Sequence, residues 1–330
     1  MPSASESPAE SQGGPPRLLT AAWADFASRG TILASGGAAA AFVDKFTTAA
    51  IGMLATGEGT EGIFADVRGW VIALATILRT DNGLVIDCDA AVAATLRDHL
   101  EHYHIREDVA LVDGSTAERC VVVVGPGSAR WLADRVSGDV PMTPFRHRTL
   151  RCGTCDAVVV AVDWFGAEGF LVRVAAHDAP AFHGWLAAER LPRVDAATLD
   201  AMRIEQRFPL AQDIPQKTLP QELDRTARAI SFTKGCYLGQ ETVARIDALG
   251  HVNRTLSLVA VEGNGAPPPG AAVSCGGEEI GTLTSSCMSR QLGACGLALI
   301  HRRGLAPGAS LTVAGRMARI AHHDGNPGAR

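Results

Sequence analysis

The segment ISFTKGCYLGQETVARI (230–246) concentrates more chemistry than any other stretch of the chain. Lys234, one of only three lysines, stands two residues before Cys236, and both precede a predicted helix that carries Gln240, Glu241 and Arg245. A nearby cation and a helix N-terminus each favour thiolate over thiol, so Cys236 is the expected nucleophile or soft ligand. Gly235 and Gly239 allow a tight turn or the close approach of a ligand. Glu241 and Arg245 are i,i+4 neighbours on one helix face. The same residues also fit an ordinary loop whose cysteine is a small buried hydrophobe.

Other candidates carry less. Cys152-Gly153-Thr154-Cys155 is a CxxC. A zinc site wants a second pair at matching spacing, and a redox CxxC opens a helix, whereas this one precedes a strand. It is read as incidental, and Cys88, Cys275, Cys287 and Cys295 as core. His99, His102, His104 and the His322-His323 pair are read as solvated surface. Gly125-Pro126-Gly127 is not a dinucleotide fingerprint, because the last glycine of that frame is Arg130. No Ser-His-Asp or phosphate-loop signature is present.

The elements that must position these residues read as strands with short helices. A helix is predicted over 18–30, from Trp23 and Phe26 three apart, and a strand over 31–35. The spacing of Phe42, Phe46 and Met53 predicts a helix over 38–54. GEGTEG (57–62) reads as a turn. Strands are predicted over 63–78 and 83–87, with Asp81-Asn82-Gly83 as the hairpin turn between them. Asp89 is the expected N-cap of a helix reaching His104. RCVVVV (119–124) is a buried strand, and 131–136 a helix. A strand pair is expected at 158–163 and 169–174, and helices over 180–190 and 196–206. Residues 207–235 are irregular, and Gly250 is expected to stop the helix that begins after Gly239. From Leu256 six short strands separated by glycine-rich turns predict a small barrel or sandwich. The change of texture at 250–255 is the expected domain boundary.

The 330 residues suggest two or three domains. With 47% hydrophobic and 20% charged residues, the chain is globular and not disordered. A net charge of −5 excludes a dedicated nucleic-acid binder. No apolar run reaches the ~18 residues that span a membrane. Residues 1–17 have no apolar core of a secretory signal and read as a disordered tail. Eight scattered cysteines then point to reduced thiols in a cytoplasm.

KGCYLGQE (234–241) resembles the signature K-G-C-[FY]-x-G-Q-E of the YgfZ family of folate-binding proteins, relatives of the glycine-cleavage T-protein (aminomethyltransferase). The match is complete over eight residues. Weaker segments follow the family order: GIFADVRG (62–69), LRDHLEHYHIREDVAL (96–111), WFGAEGF (164–170), RIEQRFPLAQDI (203–214), TLPQEL (218–223), GTLTSS (281–286) and GLALI (296–300).

The resemblance implies an α+β fold, a T-protein-like ring of three subdomains with a small C-terminal β-barrel. Its parts would be the tail at 1–17, a folate-binding region of two intertwined α+β subdomains at 18–250, and the barrel at 251–325. It implies tetrahydrofolate as ligand, with Glu205 taking two hydrogen bonds from the guanidine-like edge of the pterin. Arg203, Lys234, Tyr237, Gln240 and Arg245 would complete that pocket, with Arg203 or Arg245 meeting the glutamate tail. Asp66 resembles the acidic position near the aminomethyl group, and Cys236 is the functional thiol. The implied role is support of iron–sulfur cluster assembly or repair in client enzymes, tRNA-modifying ones included, through iron–sulfur client or assembly proteins as partners. The alternatives are an aminomethyltransferase of the glycine cleavage system and a scaffold that has lost folate. Two departures keep the last one open: the family's Thr-Asn-Asp reads Thr48-Ala49-Ala50, and the glycine of R-x-E-x-G is Arg207.

Overall fold

Strands carry most of this fold because its apolar runs are short, β-branched and bounded by glycine. A computed structural model describes residues 20–166 and 168–321. The predicted tail at 1–17 and His322-His323 lie outside the described residues. In chain order come β1 (Ala22–Asp25), β2 (Arg29–Ser35), α1 (Ala39–Asp44), β3 (Gly59–Ala65), β4 (Val71–Thr80), β5 (Gly83–Asp89) and α2 (Ala90–His102). Next are β6 (Ala110–Asp113), β7 (Glu118–Val124), α3 (Ser128–Ala133), β8 (Val136–Ser137), β9 (His147–Cys152), β10 (Cys155–Ala161) and β11 (Gly169–Ala175). Helices α4 (Ala179–Ala188), α5 (Ala196–Glu205), α6 (Thr226–Ala229) and α7 (Gln240–Leu249) follow. The chain then runs through β12 (Arg254–Val261), β13 (Ala272–Cys275), β14 (Glu278–Ser289), β15 (Gly293–His301), β16 (Leu311–Val313) and β17 (Arg316–Ile320).

Three antiparallel sheets result. The first has the order β1-β7-β11-β10-β9-β8, the second β3-β4-β5-β2-β6, and the third is a closed barrel, β12-β15-β14-β13-β16-β17. The chain enters the first sheet with β1, builds the whole second sheet, and returns as β7 to pair with β1. Alternation along β7 shows why both faces must be covered. Val121 and Val123 pack with Phe182 and Leu186 of α4, while Val122 and Val124 pack with Trp164, Phe208 and Tyr237 at the junction of the sheets.

That junction is also pinned by buried charge. Arg29 and Arg173 both donate to Asp87, and Arg173 also reaches Glu118 and the Thr31 hydroxyl. Arg225 makes a two-pronged pair with Glu61. Such pairs add little over well-packed apolar groups, but losing one partner strands a buried charge. They therefore specify how the sheets meet.

Several predicted elements are corrected. The helix over 18–30 is strand β1, since Ala22 and Ala24 pack in one cluster and Ala21 and Trp23 in another, a two-residue period. The helix over 38–54 stops at Asp44, because the carbonyls of Asp44, Lys45, Thr47, Thr48 and Ala49 bond to the distant segment 231–238 and not to their own helix. The single strand over 63–78 is two, folded back at the Asp66–Gly69 turn, and most of the supposed turn at 57–62 lies within β3. Asp89 does cap α2, its carboxylate accepting from the Ala91 amide at 2.8 Å. The CxxC closes the hairpin between β9 and β10, with Cys152 and Cys155 as ladder partners.

Candidate functional site

The segment 234–241 is a hook whose inner side is fully bonded. Lys234 has only 2% of its side chain exposed. Its ammonium donates to the carbonyls of Asp44 (2.6 Å), Thr47 (2.9 Å) and Ala49 (2.8 Å), and lies 3.1 Å from the Asp44 carboxylate. Burial pushes its pKa down, against the pull of Asp44. All three ammonium donors are used inside the protein, so Lys234 fastens the hook to the loop after α1 and has no donor left for a ligand. Tyr237 is buried in the junction core, and burial raises its phenol to about 12. Its ring lies 5.3 Å from the Lys234 ammonium.

The far end of the hook starts α7. Gly239 takes φ +81°, and a Cβ there would sit 2.6 Å from the Asp66 carbonyl and 3.0 Å from the Gly69 Cα. This glycine is required twice, by its left-handed backbone and by the approach of the Asp66–Gly69 turn. A Cβ at Gly235, in contrast, would meet nothing within 4 Å. The Gln240 side-chain oxygen accepts from the Tyr237 amide at 3.3 Å, and the Thr242 hydroxyl donates to the Arg68 carbonyl at 2.9 Å. Gln240 therefore shapes the turn, and the turn seats α7 on the Asp66 loop.

Between these anchors Cys236 is presented outward. It is exposed, and among the eight cysteines no other is. Burial raises Cys88, Cys120 and Cys152 to about 12. Arg245 is exposed one turn into α7, and among the described residues no ion pair joins it to Glu241.

Asp66 begins the turn against which Gly239 packs. One carboxylate oxygen accepts from the amides of Arg68 and Trp70, both at 2.9 Å. Its charge also reaches His99 of α2, whose pKa burial lowers and Asp66 partly restores. His99 stands edge-on to Phe46, and its Nε2 is buried without a hydrogen-bond partner. Sequence reasoning set His99 aside as surface. Tyr103 is its i+4 neighbour at the end of α2, but Phe46 and Asp66 come from two distant segments, and no local pattern signals those.

The R-x-E segment repeats the arrangement of the hook. Arg203, 1% exposed, donates to Asp200, Asp213 (2.7 Å), the Phe208 carbonyl and the Ser285 hydroxyl of β14. Asp213 also accepts from Thr284, Ser285 and the Leu210 amide. Arg203 thus ties α5 to the barrel, its donors taken up internally. Glu205, on the last turn of α5, is half-buried, and its charge is felt by Cys287 of the barrel. Arg207, where the family has glycine, takes φ +55° and pairs with Asp224 at 2.8 Å. The left-handed backbone that glycine would supply is therefore kept. Ala49 faces Gly62, where an added Cβ would already lie 3.0 Å from the Ala49 Cβ. Gly62 has no room for a side chain there.

Among the described residues no group of three or more His, Cys, Asp or Glu could hold a metal, and no helix is long and apolar enough to cross a membrane.

Comparison with known proteins gives these features a family. The fold is shared with glycine cleavage system aminomethyltransferase T from Bartonella henselae, at a TM-score of 0.81, covering 92% of this chain and 85% of that one at 17% identity. The fold is accordingly α+β, a T-protein-like ring of three subdomains with a C-terminal barrel. The "Putative transferase At1g60990, chloroplastic" of Arabidopsis thaliana is 25% identical over 297 residues, 88% of this chain and 67% of that protein. An aminomethyltransferase of Rubrobacter xylanophilus is 25% identical over 249 residues, 74% of this chain and 67% of that one. The tRNA-modifying protein YgfZ of Cronobacter sakazakii is 40% identical over 115 residues, 32% of this chain and 33% of that one. Residues 19–234 match the family described as GCVT N-terminal domain, and with well over half its length so matched the chain belongs to that family.

Proposed function

We propose that this chain is a tetrahydrofolate-binding protein of the YgfZ type. It supports iron–sulfur cluster assembly or repair in client enzymes, tRNA-modifying ones among them, in a reducing, cytoplasmic setting. Residues 18–250 form the folate-binding region and 251–325 the barrel that closes the ring. The observation that carries this reading is the presentation of Cys236: one exposed thiol of eight, on a hook held from within by Lys234, Tyr237 and Gly239. A lone thiolate cannot hold a cluster, which normally takes four ligands. Cys236 therefore acts on a cluster whose other ligands come from a partner protein.

Two carboxylates, each in its own part of the fold, keep oxygens with which a pterin can pair. Glu205 offers a half-buried carboxylate to the guanidine-like edge, and Asp66 has a second oxygen free of the turn it caps. Bound tetrahydrofolate would supply one-carbon chemistry at its ring nitrogens. Arg245 is the exposed cation left for its glutamate tail, since Arg203 and Lys234 are committed internally. Calorimetric titration with tetrahydrofolate under reducing, anaerobic conditions tests the pocket. Saturable binding that Glu205→Ala abolishes is expected, and absence of binding favours the folate-free scaffold. For the thiol, Cys236→Ser in cells lacking their own homologue should fail to restore iron–sulfur enzyme activity.

A second reading, aminomethyl transfer in glycine cleavage, draws on the likeness to the Rubrobacter xylanophilus aminomethyltransferase over 74% of this chain. Formation of ammonia and methylene-folate from an aminomethylated lipoyl carrier protein would establish it.

A further inference from the structure

The barrel holds two thiols in contact, away from the hook. Cys287 of β14 and Cys295 of β15 are direct ladder partners, and their sulfurs lie 3.5 Å apart, sharing a thiol–thiol hydrogen bond. Cross-strand partners carry their Cβ atoms about 4.5–5.5 Å apart on one face, at the edge of the range a disulfide spans. The other ladder pair, Cys152 and Cys155, is arranged differently: the Cys155 thiol turns to the Asp178 carbonyl (3.7 Å) and the Thr154 hydroxyl (3.8 Å). Of the two pairs, only Cys287 and Cys295 present their sulfurs to each other in hydrogen-bond contact.

Their surroundings make the contact consequential. Both belong to an apolar cluster formed with Leu256, Leu297 and Leu299 of the barrel and Ala201 and Ile204 of α5. Cys287 is 9% exposed and Cys295 fully buried, so an external reagent reaches Cys287 first. The charge of Glu205 acts on Cys287, which places the pair beneath the last turn of α5.

We infer that Cys287 and Cys295 are a redox-active pair that closes to a cross-strand disulfide by exchange with a low-molecular-weight disulfide such as glutathione disulfide. The Cys287 thiol loses its proton to solvent, and the thiolate attacks one glutathione sulfur, expelling a glutathione thiolate. Cys295, deprotonated in turn, attacks the Cys287 sulfur of the mixed disulfide and expels the second glutathione. Two protein thiols are oxidised by two electrons, and one glutathione disulfide is reduced to two thiols. Closure draws the sulfurs from 3.5 Å to about 2 Å and so tightens the surface on which α5 rests. The hydrogen bond to Cys295, burial and the charges of Glu205 and Asp200 all hold Cys287 in its thiol form. Exchange is therefore slow, and the state of the pair is read only after the buffer and the protein have come to equilibrium.

The test uses the full wild-type chain in glutathione buffers of graded ratio, without air, carried to equilibrium from two sides: fully reduced protein, and protein refolded under oxidising conditions. Samples are acid-quenched, alkylated and mapped by peptide mass spectrometry. Both routes should converge on a peptide linked through Cys287 and Cys295, rising with the buffer as a two-electron couple. Exposed Cys236 is the internal control and should carry glutathione in the oxidising buffers. If Cys236 is capped while Cys287 and Cys295 stay open to alkylation after denaturation from both sides, the inference is overturned. A linked peptide that forms on refolding but never from the native reduced chain overturns it equally.

Discussion

The hook at 234–241 and the R-x-E segment at 203–207 are built alike. Each begins with a cation that is almost wholly buried and bonded inside the protein, Lys234 at 2% and Arg203 at 1% exposure. Each carries its chemically available group two residues later, Cys236 in one and Glu205 in the other. They differ in what the cation holds. Lys234 gathers three carbonyls from the end of α1 and the loop after it, beside the partly exposed carboxylate of Asp44, whereas Arg203 neutralises the fully buried carboxylate of Asp213 and crosses to the barrel at Ser285. The leading cations of both signatures are thus anchors, and the candidate chemistry lies beside them. Buried donors aimed at fixed acceptors cannot also bind a ligand without losing those bonds.

This contrast can be broken or sharpened by substitution. The largest effect is expected for Arg203→Met, which leaves Asp213 buried without a cation. Such losses cost about 3–5 kcal/mol, to be read from urea unfolding. A change below about 1 kcal/mol would mean that the pair does not anchor α5 to the barrel. Lys234→Met removes a donor from three carbonyls and should cost about 1–3 kcal/mol, because the loop can let water reach some of them. Unchanged stability together with lost ligand binding would instead make Lys234 a ligand-facing residue.

Glu205→Gln should leave unfolding close to wild type and weaken tetrahydrofolate at least about tenfold, near 1.4 kcal/mol, in the calorimetric titration. If stability falls as far as in Arg203→Met, Glu205 is an anchor as well.

A smaller effect is expected from pH. Burial lowers the pKa of both His99 and His147, so the unfolded chain takes up their protons first. Their contribution is complete above about pH 6.5 and is lost as pH falls from there toward the folded values. His147→Gln should flatten the slope of stability against pH between about 6.5 and 5, and an unaltered slope would assign it to other groups. Cys236→Ser closes the series: unfolding within about 0.5 kcal/mol of wild type is expected for an exposed side chain, with the loss confined to iron–sulfur enzyme recovery in cells.

Much of the fold was legible. The six strand segments after Leu256 all appear as barrel strands, the Asp81-Asn82-Gly83 hairpin and the Asp89 cap are as read, and α7 ends at Gly250 in the left-handed conformation. These features rest on local rules: two-residue alternation, helix capping and the backbone freedom of glycine. The misreadings fall where distant partners override local pattern. The helix expected over 38–54 ends at Asp44 because its later carbonyls bond to Lys234, Ser231 and Leu238, nearly 190 residues away. The strand at 22–25 resembles a helix in its spacing because both of its faces are covered.

By itself the sequence determined the barrel, the place of the hook and the identity of the thiol on it, since these follow from residue order and local conformation; the class of fold came through the resemblance that its motifs carry. Which polar residues are spent inside the protein was decided only by the tertiary structure. Lys234 and Arg203 look like Arg245 in one dimension; they become anchors because folding brings carbonyls and a carboxylate to them. The same holds for Cys287 and Cys295, eight positions apart in the chain and 3.5 Å apart in the barrel. A ladder register set by whole strands placed them face to face.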